Sequence, residues 1–227
     1  GSAIEVGTNN ADSNTKLTIK NGTVKAEKAD GAHVGIPVSG QTVTGVSLTL
    51  DKVTLTTNSS SYGIVSNGTC TDIDLTLQSG TVLNAPNAIA VYWPSGEGTV
   101  TIDDSTITGH TGVQVCAGSL TVKGENTQIT ASGTPVAKTE NDGGIKDGAA
   151  ISVIERDGYK DLGKVTIEDG QFKSDASSKA VKAYSFNNTD KTEGVWDEAK
   201  NVISISGGYF TSDPSEYCDD GLTGLPG

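Results

Sequence analysis

The sequence predicts an all-β chain, a single right-handed parallel β-helix of about seven coils and three parallel sheets, with loop insertions in coils five and six. Two observations predict it. A three-residue phrase of apolar, small hydroxyl and apolar residues occurs seven times: Leu17-Thr18-Ile19, Leu48-Thr49-Leu50, Leu75-Thr76-Leu77, Val100-Thr101-Ile102, Leu120-Thr121-Val122, Val165-Thr166-Ile167 and Ile203-Ser204-Ile205. A second apolar residue follows at a fixed offset of seven, in the pairs Leu17/Val24, Leu48/Leu55, Leu75/Val82, Val100/Ile107, Val165/Phe172 and Ile203/Phe210, with the fifth copy slipping by two to Ile129. A fixed offset inside an irregular repeat is the pattern of stacked units with variable loops.

Each element of the coil follows from local chemistry. The phrase is the first strand, with apolar residues inward and a β-branched Thr outward, which is period-two alternation. Gly22, Gly80, Gly170 and Gly208 recur just after it, where a tight corner needs unusual backbone angles. The residue at the fixed offset lies on the second strand. The third strand has a small residue followed by apolar alternation: His33-Val34-Gly35-Ile36, Gly63-Ile64, Ala88-Ile89-Ala90-Val91, Gly112-Val113-Gln114-Val115, Ala150-Ile151-Ser152-Val153 and Ala180-Val181-Lys182-Ala183. The seventh coil has no third strand. Residues 1–15 and 211–227 are expected to cap the two ends of one domain spanning 1–227. Inserts fall at residues 131–148, 154–163 and 187–199, and such loops are where recognition varies without cost to the core.

Composition narrows the partners. The chain has 227 residues, 34% hydrophobic, with 29 Gly, which suits a thin core wrapped by many turns. Its formal charge of −12 and single arginine, Arg156, oppose a phosphate backbone, so nucleic acid is not an expected partner. No apolar run approaches the ~18 residues of a membrane span, so no membrane insertion is expected. Gly1-Ser2 reads as an added pair, so the want of a signal peptide carries no weight. Cys70, Cys116 and Cys218 are odd in number and widely spaced. Cys70 and Cys116 fall two coils apart, about 10 Å at strand spacing, which is beyond disulfide reach. They are expected to be separate thiols.

The Thr-rich strands with Gly corners resemble the pectin-lyase-like β-helix superfamily over most of residues 16–210. The stretch Ile205-Ser206-Gly207-Gly208-Tyr209-Phe210-Thr211-Ser212-Asp213-Pro214, with Tyr217 and Asp220-Gly221, resembles a phrase common in large secreted repeat proteins of Gram-positive gut bacteria. That resemblance implies a cell-surface or secreted protein of adhesin type, of which this chain is one segment. The fold hosts lyases, hydrolases, adhesins and inert stalks, so it does not settle activity.

No catalytic residue is assigned. A lyase of this fold needs a base and charge neutralisation of a uronate. The lone Arg156 is expected in a loop, and neither the Trp-x-Asp-His nor the Arg-x-Pro-x-x-Arg phrase of pectate lyases occurs. A hydrolase needs two carboxylates about a glycosidic bond. Asp103-Asp104 followed by Gly109-His110 is faintly similar to polygalacturonases, but the Asn-Thr-Asp, Gly-His-Gly and Arg-Ile-Lys phrases are missing. Asp104 shares its corner position with Asn21, Ser79 and Asp169, so a turn-forming role is expected for the pair. His110 is expected in a loop, and His33 packs or caps. Asp72, Asp74, Asp103 and Asp104 are candidates for calcium, without the spacing of a dedicated calcium loop. No other cofactor and no other metal site is expected.

The candidate ligand-binding residues are aromatic. Tyr92 and Trp93 follow the third strand of coil three, Arg156 and Tyr159 lie beside coil five, and Trp196 lies beside coil six, with Tyr184 and Phe186 nearby. Regular stacking would align them in one ridge that offers apolar area at low entropy cost; the alternative is that Trp93 and Trp196 fold onto the rod and cover its flank. The expected function is adhesion by a non-catalytic, monomeric, extracellular segment that contacts a host glycan, a glycoprotein or another extracellular protein. The alternatives are a polysaccharide lyase or glycoside hydrolase, and a passive stalk.

Overall fold

The computed structural model describes residues 1–37, 41–140 and 142–222. Its strands in chain order are β1 (Ser2–Val6), β2 (Lys16–Ala26), β3 (Asp30–Val34), β4 (Ser47–Thr57), β5 (Tyr62–Val65) and β6 (Asp74–Gln78). There follow β7 (Val82–Trp93), β8 (Thr99–Asp103), β9 (Thr106–Val115), β10 (Gly118–Lys123), β11 (Gln128–Ala131) and β12 (Ile151–Arg156). The last are β13 (Leu162–Ile167), β14 (Gln171–Lys173), β15 (Val181–Asn187), β16 (Thr192–Gly194), β17 (Ile203–Ile205) and β18 (Tyr209–Phe210), with one short helix, α1 (Ala199–Val202). The protein is all-β, and among the described residues all of the strand pairings are parallel except β15 with β16.

The pairings form three parallel ladders. All seven copies of the phrase align in the first, Leu17↔Leu48↔Leu75↔Val100↔Leu120↔Val165↔Ile203. The second joins Val24↔Leu55↔Leu83↔Ile107↔Ile129↔Phe172↔Phe210. The third joins Ile4↔Ala32↔Ile64↔Val91↔Val113↔Ile151↔Val181. Like side chains stack at the ~4.8 Å strand spacing, so each inward row is a column of branched aliphatics. Leu48, Leu50, Leu55, Leu75, Leu77 and Leu83 are all 0% exposed.

The corner between the first and second ladders is left-handed. Asn21, Lys52, Ser79 and Asp104 have φ of 52°, 56°, 59° and 42° there. Asn and Asp tolerate this conformation through local hydrogen bonds, whereas Lys52 and Ser79 adopt it against a cost of about 1 kcal/mol each. In the third ladder a row of small residues (Gly31, Gly63, Ala90, Gly112, Ala150) directly precedes the apolar row. A Cβ on Gly63 would stand 2.4 Å from the Ala90 carbonyl oxygen, and one on Gly112 would stand 2.2 Å from that of Ala150. Close approach of neighbouring strands therefore excludes a side chain at Gly63 and Gly112.

Four expectations change. The partner of Leu75 is Leu83 rather than Val82. One extra residue enters the corner, and the buried Thr81 hydroxyl stabilises it by sharing its single proton between the Leu50 and Gln78 carbonyls (2.9 and 2.8 Å). His33 is not at the small-residue position, which belongs to Gly31. Residues 2–6 are a strand, not cap, because Ile4 and Val6 alternate inward. Arg156 ends β12 and pairs with Phe186 rather than lying in a loop. The slip of the fifth copy to Ile129 is found as expected. Of the expected C-terminal cap, residues 223–227 lie outside the described residues, as does Asn141 of the first insert. Residues 212–218 cross the end of the ladders. There the Ala180 amide donates to the Ser212 hydroxyl (2.8 Å), Tyr217 is buried and Cys218 bridges Ile205.

Candidate functional site

The outward row of the third ladder is the place where polar and aromatic side chains gather. Alternation along β7, β9, β12 and β15 turns Tyr92, Gln114, Ser152 and Lys182 to one face, in one row. Gln114 and Ser152 are nevertheless 0% exposed. The insert between β11 and β12 lies across them as a strap. Its apolar anchor is Ile145, which packs with Val65, Ile89, Tyr92, Cys116, Ile154, Tyr184 and Phe186 in a second apolar cluster outside the main core.

Side chains, not a strand ladder, hold the strap. The Gln114 amide group donates to the Ile145 carbonyl (2.6 Å) and accepts the Ile145 N–H (2.7 Å). The Tyr62 hydroxyl accepts the Gly144 N–H (3.0 Å), and its ring stacks on Tyr92 with centroids 5.2 Å apart. Arg156 donates from Nη1 to the Gly143 carbonyl (2.5 Å) and from Nε to the Asn188 side chain (2.7 Å). Its guanidinium lies over the rings of Tyr159 and Phe186, 5.1 and 5.4 Å from their centroids, in cation–π geometry. Tyr159 donates to the Asp142 carboxylate (2.7 Å) and accepts from Tyr92 (3.1 Å).

At the far end of the strap the Asp147 carboxylate is buried. Ser152 donates to it, as do Tyr184 (2.9 Å), the Ala149 N–H (3.1 Å) and, more weakly, Thr111 (3.4 Å). Burial raises its pKa, and these hydrogen bonds only partly oppose that rise. Burial likewise pushes the Cys116 thiol up to about 12, although the Arg156 guanidinium opposes it, so this thiol is not a nucleophile at neutral pH. Tyr159 is raised to about 12, first by burial and further by donating to Asp142. Asp142 itself is lowered, chiefly by that same hydrogen bond.

The candidate ligand-binding residues are therefore divided. Tyr92, Arg156 and Tyr159 come together, turned onto the strap instead of toward solvent. Trp93 is turned inward and 0% exposed, and its indole N–H has no partner among the described residues. An inward Trp presents no face to a ligand, so the aromatics do not align in one exposed ridge. Trp196 stands apart, half-buried against the core, and lines an open concavity of about 620 Å³ with Tyr184, Lys182, Glu193 and Val195. Tyr62, Gln114 and Asp147 were not singled out from sequence. The signal was Ile145, which with Val136 is one of two branched apolar residues in a largely polar insert and the one of the two that is buried.

The remaining candidates serve the backbone. Asp104 takes the left-handed corner and accepts the Asn126 N–H (3.2 Å), while Asp103 pairs with Lys123 on the adjacent strand (3.4 Å). His110 lies on β9 rather than in a loop, with Gly133 packed against its ring. His33 pairs with Asp30 (3.0 Å). Asp74 accepts the Thr99 N–H (2.9 Å), and Asp72 is an exposed corner residue. Among the described residues, no group of three or more His, Cys, Asp or Glu converges on a point. The three thiols are unpaired, with Cys70 and Cys116 buried. Comparison with known proteins finds no matching family model, no similar characterised protein and no solved structure of similar form.

Proposed function

We propose that the three ladders are the faces of one right-handed parallel β-helix of about seven coils, and that the chain is a non-catalytic segment of a secreted or surface-anchored bacterial protein. Its role is display: a stiff rod that spaces or presents neighbouring segments at the cell surface. Alignment of all seven phrases in one ladder supports the architecture. The resemblance of residues 205–221 to secreted repeat proteins supports the location.

One observation carries the non-catalytic reading. The residues with chemistry to offer are committed to structure: Arg156, Tyr92 and Tyr159 hold the strap, the strap's own Asp147 is buried under Ser152 and Tyr184, Asp103 pairs with Lys123, and Asp104 takes a corner. A general acid or base needs room for a substrate atom within hydrogen-bond reach, and these groups face the protein's own backbone and side chains. The test is incubation with neutral and uronate polysaccharides, reading new reducing ends and unsaturated uronate. The expected result is no turnover. Turnover abolished by Asp103→Asn or Asp147→Asn overturns this reading in favour of a carbohydrate-active enzyme.

Trp196 supports a second reading, adhesion to a glycan or glycoprotein. It is the candidate aromatic that lines an open concavity, beside the Lys182–Glu193 ion pair (2.8 Å). A glycan array with the native chain and Trp196→Ala distinguishes the two. Binding that the substitution removes establishes adhesion, and an array blank for both leaves display.

A further inference from the structure

The outer edge of β2 differs from the opposite end of the ladders. Among the described residues β4 is its sole strand partner, so the backbone groups along its other side have no ladder. Its inward residues Leu17, Ile19 and Val24 remain half-buried, while their neighbours Leu48, Leu50 and Leu55 are fully buried. β1 pairs with β3 and carries the third ladder one strand further than β2 carries the other two, which leaves a step beside it. At the opposite end the first ladder is bridged at Ile205 by Cys218 and the third is extended by β16, whereas β18 has β14 as its sole strand partner among the described residues.

The outward side of this edge carries a row of exposed lysines, Lys16, Lys20 and Lys25. In this fold such lysines meet a carboxylate on the adjacent strand. Lys20 pairs with Asp51 (3.5 Å) and Lys123 with Asp103 (3.4 Å), each at matched register positions. A second copy docked edge to edge would set one lysine row against another.

We infer that the outer edge of β2 is a docking site for an extended polypeptide segment that adds as a parallel strand, with apolar residues turned inward onto Leu17, Ile19 and Val24 and carboxylates outward over Lys16, Lys20 and Lys25. Unpaired N–H and C=O groups supply the affinity, and the alternating side chains supply the register. Lysines on an open edge also guard against indiscriminate pairing. The same charge that repels a basic or neutral strand admits an acidic one.

The probes are labelled peptides of the β4 sequence, Ser47–Thr57, designed for the outer edge at the same register that β4 takes on the opposite side of β2. The acidic probe carries Ser47→Glu and Thr56→Glu, which with Asp51 sets three carboxylates over the three lysines. The basic probe carries Ser47→Lys, Asp51→Lys and Thr56→Lys. Fluorescence anisotropy measures affinity, and hydrogen exchange locates the contact. The acidic probe is expected to bind about fivefold to tenfold more tightly than the basic one, as three exposed ion pairs allow, and to protect residues 16–26. The preference should fall with salt and reverse in a Lys16→Glu, Lys20→Gln, Lys25→Glu variant, in which all three side chains are exposed and Gln at position 20 sets no second carboxylate against Asp51. Equal affinities, no binding, or protection elsewhere overturn the proposal. So does self-association of the free chain that protects residues 16–26, which would make a second copy the occupant.

Discussion

The first and third ladders are built by the same parallel pairing, yet their outward rows meet opposite surroundings. On the first, Thr49, Thr76, Thr101, Thr121 and Thr166 form a bare, part-exposed hydroxyl row. On the third, Gln114 and Ser152 occupy equivalent outward positions and are sealed from water by the strap. The first face needs nothing beyond its own period. The third exists in this form because a distant insert supplies Ile145 and a set of backbone groups that outward side chains can satisfy. Burial on the outer face is thus a property of the insert, not of the strand.

The comparison can be broken most forcefully from the inside, which both faces share. Leu77→Ala removes a fully buried side chain from a close-packed column and should cost about 2–5 kcal/mol in chemical denaturation. The strap comes next. Gln114→Ala leaves the Ile145 N–H without a partner in a buried site and its carbonyl with the Asp147 N–H alone, so a loss of about 2 kcal/mol is expected, with faster proteolysis confined to residues 133–149. An unchanged cleavage pattern would mean that the strap is held elsewhere.

A smaller effect is carried by pH. The folded pKa of Asp147 lies above its ordinary value of 3.8, because burial penalises the ionised form. The penalty is therefore present at neutral pH and fades as the pH falls through the folded pKa. Relative to Asp147→Asn, the native chain should gain stability on acidification, measured as the difference in Tm between the two at neutral and acid pH. The opposite slope would mean that the hydrogen bonds from Ser152 and Tyr184 outweigh burial. The least effect is expected on the bare face, where Thr76→Ala should change stability by no more than about 0.5 kcal/mol.

Much of this architecture was legible because it repeats. The phrase copies fall into one ladder in the expected order, and even the slipped fifth copy finds its place at Ile129. Repetition also places Asp104 at a corner, where it is found, while its neighbour Asp103 ends the strand and pairs with Lys123. Errors arose where the repeat is locally broken. Thr81 adds a residue to one corner and shifts Val82 out of the row. Ile4 and Val6 form a strand in a stretch too short to show a period. The site was less legible. Tyr92, Arg156 and Tyr159 were singled out, but their direction was not, since an aromatic at an outward position looks the same in sequence whether water or a strap lies above it.

The sequence by itself determined the period, the inward rows and the corners, because alternation and left-handed turns are set by residues within one strand and its connection. The tertiary structure decided what covers those strands: that Trp93 is swallowed by the core, that Thr111 and Gln114 meet a strap whose Asp147 and Ile145 lie 36 and 31 residues further along the chain, and that β2 keeps an open edge. Those outcomes depend on contacts between segments distant in sequence, whose energies are set by which surfaces meet and not by the residues of either segment alone.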